Sequence, residues 1–420
     1  MPYELLRLEL ADGRPLNHPT TIAQTWNRPP YAIGLRLARY APGAESGEVV
    51  DEAVIDTRGS RVEYRARLEA VAMRLVKDAI SGRSRGPLGA TLPDLADPHP
   101  LSHSESWLRH ALARCEQKLL REWWSLGISD RSREDIAASG SVGTVRWLEP
   151  DPRPAYLADP FPLPATRQVL CEEMPMAGGH GRIVAVDPDA DSGSSGGVRT
   201  SDVLSDDYHH SYPYLFQEGS ELYFMPETPD RGRTVLYRLN ANERYLVCNV
   251  APTRCLADPT LFKHQGRYWI ACTDLDIGRH DNLCLFHAEQ LSGPWKPHRL
   301  TPAKIDVRGA RPAGPLFTLD DRLIRPAQDC SRTYGGAITL NHIELLTENE
   351  FREAPFQRIF PDPSGLFPDG LHTISSDGVR TWVDGKRMVF YFPAIFHNLV
   401  ERVPASLRRR RDRGPQPSPH

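Results

Sequence analysis

One short pattern recurs along most of this chain, and it constrains the fold more than any other feature. Ala257-Asp258-Pro259-Thr260-Leu261-Phe262 reads as a strand, Gly266 as a tight turn, and Arg267-Tyr268-Trp269-Ile270 as a returning strand. Ala158-Asp159-Pro160-Phe161 precedes Cys171-Glu172-Glu173 in the same way. Ser211-Tyr212-Pro213-Tyr214 turns at Gly219 into Leu222-Tyr223-Phe224-Met225. Ala310-Arg311-Pro312-Ala313-Gly314 turns at Asp320-Asp321, and a weaker copy runs from Phe367 to Ile374. The starts at Ser211, Ala257, Ala310 and Phe367 lie 46, 53 and 57 residues apart. A unit repeated at such a period is one module that buries its apolar face only against its neighbours. Short strands joined by Gly and Asp turns make that module a propeller blade. The expected fold is all-β, a five-bladed β-propeller with a small N-terminal α+β extension. The competing reading is a β-sandwich in which the Asp-Pro pairs serve only as turns.

The expected divisions are an extension over 1–118, the propeller over 119–403, and a basic tail over 404–420 that reads as disordered. In the extension, strands are expected near 3–10, 31–40 and 49–56. A helix is expected over 61–80 from its apolar spacing, a Gly/Pro/Ser-rich linker over 81–100, and a second helix over 104–121. His103, His110 and Cys115 lie close in sequence without forming a recognisable metal motif. The Asp/Ser/Gly-rich stretch 187–201 reads as a surface loop and lacks the spacing of a calcium loop.

The 51 basic and 54 acidic residues give no electrostatic case for nucleic acid. No run of residues has the length and apolarity of a membrane span. Seven cysteines without a CxxC pair argue against structural zinc, and their odd number with no secretory leader points to a cytoplasmic setting.

A propeller brings the first strand of every blade to one axis. Asp159, Tyr212, Asp258, Arg311 and His372 would converge there, joined by Glu172 or Glu173, Glu227 and Asp329. Glycosidic cleavage requires two carboxyl groups across the bond, one to protonate the leaving oxygen and one to activate water or attack. A third can hold the acid protonated by like-charge repulsion. Each residue also has a structural alternative. Asp159, Asp258 and Glu227 could cap turns, Arg311 could serve a buried ion pair, and His372 could be a hydrogen-bonded core histidine. Glu172 and Glu173 alternate across a strand, so only one can face the axis. Cys330 beside Asp329 has no neighbouring His to make it a nucleophile.

Taken together, Ala158-Asp159-Pro160-Phe161, His210-Ser211-Tyr212-Pro213, Pro226-Glu227-Thr228, Asp258-Pro259-Thr260, Ala310-Arg311-Pro312, Arg325-Pro326-Ala327-Gln328-Asp329-Cys330-Ser331-Arg332 and Tyr334-Gly335-Gly336 resemble the propeller-like N-terminal domain of glucosamine inositolphosphorylceramide transferases. The resemblance covers about 120–375. No nucleotide-sugar transferase signature is read after the propeller, so the transfer activity is not expected to carry over. More distantly, the chain is similar to the five-bladed glycoside hydrolases of families 43, 62, 32 and 68. That similarity implies Asp159 as base or nucleophile, Asp258 as modulator, and Glu227 as acid with Asp329 in reserve. Glu172, His210, Tyr212, Arg311, Asp329, Arg332, Tyr334 and His372 would contact a carbohydrate or glycoconjugate substrate. Arg311, Arg325 and Arg332 would suit an anionic sugar. No cofactor is required, although the resemblance leaves room for an axial calcium beside His372. Two other functions stay open: a glycan-binding module without catalysis, and a cyclase or lyase of a biosynthetic pathway.

Overall fold

The structure, a computed structural model, describes residues 5–11, 13–14, 16, 25–26, 31–88, 120–148, 155–190, 198–240 and 243–390. The basic tail, nearly all of the expected second helix, and His103, His110 and Cys115 lie outside the described residues, as does much of the linker.

The extension begins with an antiparallel sheet of β1 (Leu5–Leu10), β2 (Ala32–Tyr40) and β3 (Glu48–Asp56). Helix α1 (Arg61–Ile80) follows and covers it. The helix starts where Ser60 and Glu63 exchange side-chain and backbone hydrogen bonds, which satisfies two donors of the first turn. Its face of Tyr64, Leu68, Val71 and Leu75 packs on Ile33, Leu35, Leu37, Ala53 and Ile55. The extension docks on the ring through β3: Val307 N donates to Val54 O at 2.9 Å. Arg58 Nη2 donates to Cys330 O at 2.6 Å, and Arg85 Nε to Pro302 O at 2.9 Å.

The ring begins with β4 (Leu120–Ser129), a short helix α2 (Arg133–Ser139) and β5 (Val145–Trp147). Leu120 and Arg121, expected to end a helix, open β4 instead, and α2 was not expected at all. Ser132 caps α2, and Gly140 ends it in the left-handed conformation. The first blade is β6 (Ala155–Pro162), β7 (Val169–Pro175), β8 (Arg182–Val186) and β9 (Thr200–Leu204). The second is β10 (Ser211–Glu218), β11 (Glu221–Glu227), β12 (Thr234–Asn240) and β13 (Glu243–Ala251). The third is β14 (Leu256–His264), β15 (Arg267–Asp274), β16 (Asn282–Ala288) and β17 (Lys296–Pro297), with β18 (Lys304–Ile305) also on β16. The fourth is β19 (Phe317–Leu319), β20 (Arg322–Asp329), β21 (Ala337–Leu346) and β22 (Phe351–Ile359).

The fifth blade joins both parts of the chain. Its order is β23 (Ile374–Ser376), β24 (Thr381–Phe390), β4 and β5. The fold is therefore the expected five-bladed propeller. Apolar contacts fill the gaps between blades. Leu157, Val169, Cys171 and Val184 meet Leu126 and Trp382 between the first and fifth blades. Tyr214, Met225 and Leu236 meet Leu261, Ile270 and Cys272 between the second and third. Cys171, Cys248, Cys255, Cys272, Cys284 and Cys330 carry free thiols. Among the described residues, no helix is long and apolar enough to cross a membrane.

Candidate active site on the propeller axis

The recurring Xaa-Pro pair is a β-bulge. In the first blade Ala158 pairs with Glu172 and Phe161 with Leu170, so Asp159-Pro160 opposes one residue. Tyr212-Pro213 and Asp258-Pro259 make the same interruption in the second and third blades. Proline has no N–H to lose from the ladder and fits at a bulge. The residue before it adopts a positive φ in all three copies: 55° at Asp159, 45° at Tyr212 and 48° at Asp258. Such backbone is uncommon outside glycine and is held in place by its surroundings.

Those surroundings are carboxylates from the preceding blade. Asp384 of β24 accepts Asp159 N–H at 3.0 Å, and Glu227 of β11 accepts Asp258 N–H at 2.9 Å. By that rule Glu172, which occupies the place in β7 that Glu227 occupies in β11, would accept Tyr212 N–H. Instead Asp159 Oδ2 takes it at 3.1 Å. Glu172 is left over: buried, and with no hydrogen bond to its carboxyl among the described residues. Its nearest basic group is His209 Nε2, 3.6 Å from Oε1.

The other axial groups are committed to partners. Asp258 binds Arg311 through Nε at 2.5 Å and Nη2 at 3.2 Å, and accepts from Gln328 Nε2 at 2.8 Å. Arg311 also lies under the Tyr334 ring, 5.1 Å from its centre. Asp159 Oδ1 accepts from Thr373 Oγ1 at 2.8 Å. Tyr212 spans the axis: its hydroxyl lies 2.8 Å from Thr260 Oγ1 and accepts Gly314 N–H at 2.9 Å. His372 stacks on Trp124 with ring centres 4.0 Å apart, with Nδ1 2.6 Å from Asp384 Oδ2 and Nε2 3.7 Å from Asp159 Oδ1. Gly335 leaves room for this stack, since a Cβ there would meet His372 Cβ at 2.6 Å.

Charge follows from this geometry. Burial raises the pKa of Asp159 to about 6 despite nearby His372, with Asp384 and Asp258 adding repulsion. Burial, then the charges of Asp159, Glu227, Asp258 and Asp384, push Glu172 well above the usual carboxyl range. Burial and Asp258 do the same to Glu227, against the pull of Arg311. Burial opposes a charge on His372, but Asp384 and Asp159 outweigh it and its pKa is raised. The site thus sets several carboxyl groups of raised pKa side by side, an arrangement that acid–base chemistry draws on.

Several expected residues lie elsewhere. Glu173 takes the opposite face of β7 and pairs with Arg182 and Thr200. His210 turns its ring to Asp206, 2.7 Å away. Asp329 closes its own turn, accepting from Ser331 N and Oγ at 3.0 and 2.6 Å. The three arginines expected to gather around an anion do not converge. Arg325 is buried in a two-point pair with Glu353 at 2.8 and 2.6 Å, Arg311 belongs to Asp258, and Arg332 is exposed. Burial raises the Cys330 thiol to about 11 and leaves it no thiolate character at neutral pH.

Asp384, Thr373, Gln328 and Trp124 were missed in the sequence. Asp384 stands before Gly385 and reads locally as a turn residue, although alternation along Thr381–Phe390 puts it on the same face as Trp382 and Lys386.

Asp159, His372 and Asp384 could meet around a metal ion, with donor atoms within 4.8 Å of one another. They do not fit calcium, which takes six to eight oxygens. Asp384 already accepts N–H groups from Asp159, His372 and Thr373, and Asp159 accepts from Tyr212 and Thr373.

Residues 165–364 match the family described as glucosamine inositolphosphorylceramide transferase 1, N-terminal. The chain is 33% identical over 156 residues to glucosamine inositolphosphorylceramide transferase 1 of Arabidopsis thaliana, covering 36% of this chain and 20% of that protein. The Oryza sativa subsp. japonica protein of the same name is 33% identical over 158 residues, covering 36% of this chain and 21% of that protein. The chain thus matches about a fifth of the length of these curated relatives. Among solved structures, it is similar to an exo-β-1,3-galactanase of Clostridium thermocellum, with TM-score 0.38, 8% identity and 57% of each chain covered. It is also similar to a Bombyx mori family 32 β-fructofuranosidase, with TM-score 0.36, 12% identity, and 66% of this chain and 61% of that one covered.

Proposed function

We propose that the axial cluster is the centre of a carbohydrate-active enzyme that cleaves or transfers a glycosidic bond. The observation that carries this reading is Glu172: a buried carboxyl left free of hydrogen bonds by its neighbours, set among other carboxylates that push its pKa up. A general acid must keep its proton at neutral pH and be free to give it to a leaving oxygen. Glu172 meets both needs better than Glu227, whose Oε2 is engaged by Asp258 N–H. Asp159, with a pKa of about 6, is ionised near neutral pH and serves as base or nucleophile. Asp258, neutralised by Arg311, sets the field around Glu227 and Glu172. Tyr334, half-buried beside Arg311, supplies an aromatic ring and a hydroxyl for a sugar. The match to part of proteins named as sugar-lipid transferases supports a glycan or glycoconjugate substrate.

A second reading is a glycan-binding module without turnover. It is favoured by the internal hydrogen bonds that occupy Asp159 and Asp258. The test is incubation with a panel of furanosides, pyranosides and glycosylated inositol phospholipids, with products followed by mass spectrometry. Wild-type product that disappears in Asp159→Asn and Glu172→Gln supports the enzyme. Calorimetric binding of a sugar by wild type and both variants, without product, supports the module.

A further inference from the structure

Glu172 and His209 meet around one glycine. Gly181, just before β8, donates its N–H to His209 Nδ1 at 2.9 Å. Accepting at Nδ1 places the ring proton on Nε2. That nitrogen is the one lying 3.6 Å from Glu172 Oε1. A Cβ on Gly181 would come within 2.5 Å of Glu172 Oε1 and 2.9 Å of His209 Cε1. The same residue therefore fixes the histidine tautomer and leaves room for the carboxyl and the ring to face each other. His209 is itself held from behind, its backbone N–H donating to Asp230 Oδ2 at 3.2 Å.

We infer that His209 is a positioning residue for Glu172, donating Nε2–H to Oε1 and so leaving the carboxyl proton on Oε2. This rests on the proposed role of Glu172 as the acid. A protonated carboxyl has one accepting and one donating oxygen, and only the donating one can serve a leaving group. At 3.6 Å the contact is longer than a hydrogen bond; such contacts shorten when a site is filled. Other charged or titratable groups facing His209 are Asp230, His180 and His210. Burial lowers the His209 pKa, so the ring is neutral at pH 7 and able to hold this tautomer.

The test has an arm that needs no substrate. Nitrogen-15 spectra of the histidine rings, recorded on the full chain, report tautomer and titration together. His209 should show the Nε2–H form at pH 7. Its shifts should also carry a second inflection on the alkaline side as Glu172 ionises, lost in Glu172→Gln. An Nδ1–H tautomer, or an inflection that survives in Glu172→Gln, overturns the inference. Where a sugar is turned over, His209→Leu should lower kcat about 10- to 100-fold with KM within about twofold, and His209→Gln, which keeps an N–H at a similar reach, should recover most of it. Equal losses in both variants also overturn it. If no sugar is turned over, the enzymatic reading fails while the nitrogen-15 arm still decides whether His209 orients Glu172.

Discussion

Tyr212 N–H donates to Asp159 Oδ2 across the boundary between the first two blades. Elsewhere on the axis that place belongs to a second-strand carboxylate, as with Glu227 beneath Asp258. The substitution of one acceptor for another is what frees Glu172, and the chemistry proposed for the site depends on it.

Asp159→Asn should abolish turnover without loss of fold. Burial raises the folded pKa of Asp159 to about 6 from an ordinary 3.8. Whatever stability this carboxyl lends is thus fully present below its unfolded pKa and is lost as pH rises through about 6. An ionised Asp159 then costs up to about 3 kcal/mol at pH 8. The asparagine escapes that cost, so urea unfolding should show the variant gaining on wild type between pH 5 and pH 8. A gap that stays constant across this range contradicts the assignment.

The pH profile of kcat/KM on any sugar turned over should be bell-shaped. Its acidic limb should lie near 6, where Asp159 ionises, and its alkaline limb should mark loss of the Glu172 proton. Glu172→Gln should remove the alkaline limb and lower the rate by about 10²- to 10⁴-fold. An alkaline limb retained in that variant would move the acid to Glu227.

Arg311→Met should destabilise the protein by about 3–5 kcal/mol, because it strands Asp258 as an uncompensated buried charge. Asp258→Asn in the same chain should restore part of that loss. A denaturant double-mutant cycle measures the coupling, expected at about 1–3 kcal/mol; additive losses would mean that the pair is not energetically joined.

Glu353→Gln serves as the contrast. Glu353 neutralises both Arg325 and Lys304, the latter at 2.9 Å, away from the axis. Its loss should cost about 3–5 kcal/mol of stability while leaving the pH profile of the site unchanged. A shifted profile would show that this buried triad reaches the axis.

Tyr212→Phe removes the hydroxyl that accepts Gly314 N–H and meets Thr260. A buried N–H left unpaired costs about 1–3 kcal/mol, readable as a lower midpoint in urea. An unchanged midpoint would mean that water takes the hydroxyl's place.

The repeat was legible because a bulge has a sequence cost. Only certain residues tolerate a positive φ before proline, so in the first three blades the Xaa-Pro pairs mark where the blade turns a side chain to the axis. That was enough to find Asp159, Tyr212 and Asp258. It also placed Glu172 and Glu227 one strand further out. Pairing between distant segments was harder to read. Nothing local in Leu120–Ser129 says that its partner is Thr381–Phe390, so nothing in the sequence points to Asp384. His210 and Asp329 drew attention because they sit beside axial motifs. His210 lies just before β10 and turns to Asp206, while Asp329 ends β20 and closes a turn with Ser331, so both are spent on local partners. Arg325 misled for a different reason: the anion it serves, Glu353, lies on another strand of its own blade.

The pairing of Leu120 with Phe390 makes the ring a clasp whose two ends are fastened side by side. The fifth blade is complete only when β24 has joined β4. Asp384 arrives with that closing strand. Without it Asp159 N–H lacks its acceptor, and the His372 imidazole keeps only its stack on Trp124. The strand that closes the ring is thereby also the one that completes the carboxyl cluster around Asp159.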